Sequence, residues 1–212
     1  MSACAMASRP EAHRRLTVSL LAPAMARAQG HNAPPPESPQ LAESGKISVG
    51  GNPVPYLIRR LPVSSFPDLP SGIQEILHQR GCMVPQTYQA HRPENVVHAS
   101  LERAGSSDWA VLCAANGTVK LLVFFGSVPG APMELASAPE TERLQPHDST
   151  GVLGFNWGID PATPERVHDA QSGMEHRAPP LDHEALADSI INRRTIFHFY
   201  TSHAWIQLET PN

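Results

Sequence analysis

Two apolar runs, Trp109–Ala115 and Thr118–Phe125, are separated only by Asn116-Gly117. Asn-Gly is the preferred pair for a type I′ turn, which needs positive φ at both central residues and whose twist matches the flanking strands. A two-residue loop of this kind sets the register of the hairpin. Ala115 then faces Thr118, and Trp109, Val111 and Cys113 share a face with Phe124, Leu122 and Lys120. Ala110, Leu112 and Ala114 share the other with Val123, Leu121 and Val119. Both faces are apolar, so the hairpin must be covered on both sides. The small alanines are expected to admit a helix.

The rest of the chain supplies further elements. Ile73, Ile76 and Leu77 make one apolar stripe on a helix from Pro70 to Arg80, with Asp68 or Ser71 as cap and Gly81 as stop. Asn95–Leu101 alternates as a strand, and Met133–Leu135 and Gly151–Trp157 add two more. Thr163 caps a short helix through His168, with Pro164 in its first turn. Asp182 is expected to cap a longer helix that turns Ala185, Leu186, Ile190 and Ile191 inward. Thr195–Tyr200 and Ala204–Glu209 form a second hairpin around Ser202-His203. Together these elements predict an α+β fold: an antiparallel sheet of about five to seven strands, two or three helices and one disulfide.

Met1–Ala28 reads as a signal peptide. Arg9, His13, Arg14 and Arg15 precede the apolar run Leu16–Ala22, and Ala24-Met25-Ala26-Arg27-Ala28 offers two A-x-A cleavage sites. Residues 29–52, with Pro34-Pro35-Pro36 and Pro39, read as a disordered spacer. Residues 53–212 then form a single domain, within the usual size range. The expected location is the periplasm or the extracellular space. Cys4 leaves with the leader, so Cys82 and Cys113 remain and are expected to pair in an oxidising compartment. Taking four arginines and one glutamate from 16 basic and 20 acidic residues leaves the mature part near −7. That acidity, with no cluster of Lys and Arg outside the leader, argues against nucleic-acid binding. No later apolar run approaches the roughly 20 residues that span a bilayer.

Chemistry is harder to find. Eleven histidines include no H-E-x-x-H and no H-x-H pair, so no metal and no cofactor is expected. No G-x-S-x-G elbow exists for a serine nucleophile. His147-Asp148 is one candidate acid–base pair, and Asp182-His183-Glu184 with His176 upstream is the nearest cluster. The best binding candidate is one face of the last hairpin, where His198, Tyr200, Trp205 and Gln207 would form an aromatic and polar stripe suited to sugars or peptides.

Four stretches occur in a distinctive order: Arg80-Gly81-Cys82-Met83-Val84-Pro85-Gln86, Asp108–Cys113, Leu181-Asp182-His183-Glu184 and Trp205-Ile206-Gln207-Leu208. Over Leu69–Leu208 the chain resembles an uncharacterised family of exported bacterial proteins with G-C-x-x-P-Q and D-W-A-V-L-C motifs and no known activity. Members tend to carry Asn-Val-Ile-x-Gly-x-Phe where this chain has Asn95–Leu101, so the glycine is replaced by Ala99. The expected role is an exported non-enzymatic domain that binds an envelope polysaccharide, peptide or protein. The alternative is a hydrolase using His183 with Asp182 or Glu184 on a metal or a water. An inhibitor of a secreted enzyme is a third reading.

Overall fold

The computed structural model describes residues 41–126, 130–172, 177 and 180–211. The described residues begin with β1 (Leu41–Val49) and β2 (Asn52–Pro62), which turn at Gly50-Gly51. A 3-10 turn, Val63–Ser65, leads to α1 (Ser71–Gln79) and β3 (Met83–Gln86). Next come β4 (Val96–Ala99), β5 (Asp108–Ala115), β6 (Thr118–Phe124) and β7 (Met133–Pro139). A second 3-10 turn, Glu140–Arg143, joins β7 to β8 (Leu144–Pro146) and β9 (Leu153–Phe155). The last elements are β10 (Trp157–Ala162), α2 (Pro164–Ala170), β11 (Ala185–Ile190), β12 (Arg194–Thr201) and β13 (Ala204–Pro211).

The strands form a nine-stranded sheet, ordered β7-β6-β5-β3-β2-β9-β8 with β1 on β2 and β4 on β5, and a four-stranded sheet, β10-β11-β12-β13. With 52% strand against 14% helix, the α+β expectation is overturned: the protein is mostly β. The decisive error lies at Ala185–Ile190, expected as a helix and found as a strand. That strand is apolar on both faces, Leu186 and Ile190 toward one core and Ala185 and Ala187 toward another. A run buried on both sides loses its period-2 alternation and imitates a helix. The large sheet is also mixed, because β2 runs parallel to β9 through Tyr56↔Leu153. Leu41–Val49, expected within the spacer, is a full strand of it.

The Asn116-Gly117 turn forms with φ of 51° and 76°, and every pair from Trp109↔Phe124 to Ala115↔Thr118 is as expected. Trp109, Val111 and Cys113 pack with Ile73 and Leu77 of α1. The alanine face meets Trp157, Ile159 and Leu186 of the small sheet, not a helix. That core joins the two sheets.

The nine-stranded sheet is strongly curled. Laid flat at a spacing of about 4.8 Å, its seven ordered strands would hold β7 and β8 roughly 29 Å apart. Only the four residues Glu140–Arg143 connect them, a reach of at most about 18 Å. Arg60 of β2 shows the same closure: its guanidinium grips Glu140 through Nε–Oε1 at 2.9 Å and Nη2–Oε2 at 2.5 Å, and Glu43 of β1 through Nη1 at 2.6 Å.

Between the sheets, the chain crosses from β9 to β10 at Asn156, so the single strand expected over Gly151–Trp157 is two. Asn95 ties the sheets together from a positive φ of 70°. Its buried amide donates to Pro85 O (2.7 Å) and Trp157 O (3.2 Å), and its Oδ1 accepts from Ile159 N (3.0 Å).

Cys82 and Cys113 form the expected disulfide, with Cα atoms 5.1 Å apart. Cys82 lies just beyond α1, its N–H bonded to Leu77 O, and so pins the helix to β5. Closing a loop of about 32 residues contributes roughly 3–4 kcal/mol in the chain-entropy model. The double variant Cys82→Ser/Cys113→Ser should therefore unfold at a clearly lower urea midpoint than the oxidised protein. Equal midpoints would show that the bridge adds nothing.

Candidate functional site

The stripe expected on the last hairpin is not a flat outer surface. Its register is as read, Tyr200↔Trp205 and His198↔Gln207. Phe197 and Phe199 are buried against Ala185, Ala187 and Val167, while Ile206 on the same face is exposed. The opposite face is also covered. His198 is 1% exposed, with Nε2 3.1 Å from Asp188 Oδ2, and Asp188 Oδ1 accepts from Trp157 Nε1. Tyr200 and Trp205 close with Phe125 into an aromatic cluster, with ring centroids 4.9 and 5.9 Å from Phe125. Trp205 packs on the core between the sheets, and Gln207 alone of the four is exposed. Tyr200 and Trp205, through Phe125, hold the small sheet to the large one, and His198 serves within the small sheet.

The acid–base groupings are spent on structure too. His183 is buried, with Nδ1 2.7 Å from Asp182 Oδ1 and Nε2 2.9 Å from the Tyr200 carbonyl. The bond to His183 holds the exposed Asp182 carboxyl below its ordinary range. Glu184 Oε2 accepts from Ser100 N, away from the imidazole. His147 stacks on Tyr88 at 4.7 Å, and a Cβ at Gly154 would sit 2.6 Å from Tyr88 Cβ, so the glycine makes that stack possible. Asp148 turns to Thr150, whose hydroxyl and N–H hold its carboxyl below the usual range. His176 lies outside the described residues. Among the described residues, no three His, Cys, Asp or Glu side chains gather to hold a metal.

A better-formed site lies where α1 meets β4 and β5. The loop after the first 3-10 turn brings Phe66, Pro67 and Asp68 to one side, Pro93 comes from the loop before β4, and His98 and Trp109 come from the sheet. They enclose a cleft of about 430 Å³. Antiparallel pairing places His98 directly opposite Trp109, and the rings stack at 4.4 Å and 15°. Trp109 is buried beneath, packed on the α1 core, while His98 is exposed. Ser107 Oγ lies 2.8 Å from His98 Nε2 and orients the ring. The Trp109 indole N–H and the Ser65 hydroxyl have no hydrogen-bond partner among the described residues. The exposed His98 ring and the half-buried Phe66 beside Asp68 suit a ligand with apolar faces and hydroxyl edges.

Sequence reasoning assigned Trp109 to the core and His98 to a strand, and missed that they meet. The eight residues between β4 and β5 carry no two-residue turn signal, so their register is not readable. Phe66-Pro67-Asp68 has no periodicity to notice. The chain matches no family model, no curated protein and no solved structure.

Proposed function

We propose that this chain is an exported, non-enzymatic domain of the family it resembles, and that it binds an envelope polysaccharide in the cleft of Phe66, His98 and Trp109. The observation that carries the reading is the exposed His98 ring, stacked on a buried tryptophan in a cleft that also holds Phe66 and the Asp68 carboxylate. A sugar ring presents C–H groups to such a stack and hydroxyls to a carboxylate. The disulfide supports export, since such bonds persist in oxidising compartments. No helix among the described residues is long and apolar enough to cross a membrane. Binding is favoured over hydrolysis because His183 and His198 are both engaged in structural hydrogen bonds.

Retention on insoluble peptidoglycan, with a peptide array as the competing surface, tests the reading. His98→Ala should lower retention about tenfold, the loss of one stacking contact of roughly 1 kcal/mol or a little more. Its thermal midpoint should fall by a few degrees at most, the loss of the stack on Trp109. Unchanged retention in His98→Ala, or binding to peptides alone, overturns the assignment.

A further inference from the structure

Arg143, Arg193 and Arg194 converge at the turn between β11 and β12. With Ile190, Glu142 and Glu209 they line a second cavity of about 430 Å³. Charged side chains that leave water are ordinarily paired. Arg194 obeys this rule, with Glu209 at 3.0 Å. Arg143 does not. It is half-buried, its Nε is fully buried without a hydrogen-bond partner, and its guanidinium lies 4.6 Å over the Trp157 ring.

Neither Arg143 nor Arg193 joins an ion pair among the described residues. Burial pulls the Arg143 guanidinium below its ordinary value; the charges of Asp188 and Glu142 oppose that pull and the charge of Arg194 adds to it. Three arginines against Glu142 and Glu209 leave the lining with a net charge of +1.

We propose that this cavity binds a phosphate group carried on a hydroxylated body, either a sugar phosphate or the headgroup of an anionic lipid. The Trp157 ring anchors the Arg143 guanidinium at the cavity, and with Nε buried it is the terminal N–H groups that would meet an oxyanion. Two guanidinium groups outside any ion pair can meet the three terminal oxygens of a phosphate, whereas a carboxylate offers only two. The cavity is larger than a lone oxyanion, and Glu142 at its rim favours a body that offers hydroxyl donors. The site is independent of the aromatic cleft, so either can fail alone.

The test uses the full chain and three probes: inorganic phosphate, glucose 6-phosphate, and vesicles of phosphatidylglycerol compared with phosphatidylcholine. At matched ionic strength, phosphate and glucose 6-phosphate should raise the thermal midpoint above that in chloride. Arg193→Gln, an exposed change, should weaken glucose 6-phosphate about tenfold. Arg143→Lys keeps the charge but loses the fork, and should weaken it similarly. Preferential sedimentation with phosphatidylglycerol, lost in Arg193→Gln, assigns the group to a lipid, whereas binding of the soluble probes alone assigns it to a free sugar phosphate. A parent protein that responds to none of the probes, or variants that respond as the parent does, overturns the proposal.

Discussion

Asp108→Ala is expected to destabilise the fold by about 3–6 kcal/mol, enough to unfold many domains of ordinary stability. The carboxylate is completely buried at the start of β5 and is an acceptor for four groups. Oδ2 takes the N–H groups of Leu101 (2.9 Å) and Glu102 (2.8 Å) and the hydroxyl of Ser106, and Oδ1 takes Gly126 N (2.8 Å). Alanine would strand three backbone donors, each costing about 1–3 kcal/mol when left unsatisfied. Asp108→Asn keeps one acceptor oxygen but turns an amide N–H toward donors, so an intermediate loss is expected. Urea unfolding of the three proteins measures this. A midpoint for Asp108→Ala close to that of the parent would show that water replaces the carboxylate without penalty. The loop that Asp108 organises also carries Ser107, so a folded Asp108→Asn protein should hold His98 less well.

Arg60→Met should cost about 3–5 kcal/mol, because it leaves Glu140, 5% exposed, without its cation. Removing both partners in Arg60→Met/Glu140→Met should recover most of that loss, since a buried pair often contributes little beyond its own desolvation. A double variant as unstable as the single one would mean that the pair itself, rather than the orphaned charge, holds the sheet closed. Burial alone would lower the Arg60 guanidinium, but its bonds to Glu140 and Glu43 outweigh this and hold it above its ordinary value. Arg60 in turn holds the Glu43 carboxyl below its ordinary range, through the hydrogen bond first and the charge second. Stability from that contact is complete above the unfolded pKa of a glutamate and is lost as pH falls through the lower folded value. Glu43 is well exposed, so screening keeps the contribution small.

Local chemistry carried much of the fold. Asn116-Gly117 and Ser202-His203 yielded both hairpin registers, because a short turn leaves the chain no other pairing. Pro164 after Thr163 marked α2, where Thr163 Oγ1 accepts from Arg166 N. Burial on both faces was not legible. Asp182 before Ala185, Leu186 and Ile190 has the look of a capped helix, and only the small sheet, packed between α2 and the large sheet, explains alanine beside leucine in one strand. The same cause misplaced the binding stripe. With Phe197 and Phe199 inward, His198 and Trp205 had to face water in a two-layer picture, yet here there is a layer on each side. The cleft at His98 depends on pairing across a long loop, and the arginine cavity on three residues from two distant turns. Neither leaves a pattern in the one-dimensional order of residues.

The parallel contact of β2 with β9 joins Tyr56 to Leu153 and closes the curled sheet late in the chain. Loop-closure entropy must be met before such a distant pairing gives anything back, so this topology folds slowly. Until β9 arrives, β2 presents an unfilled flank, so the curled sheet closes only once the second half of the chain is present.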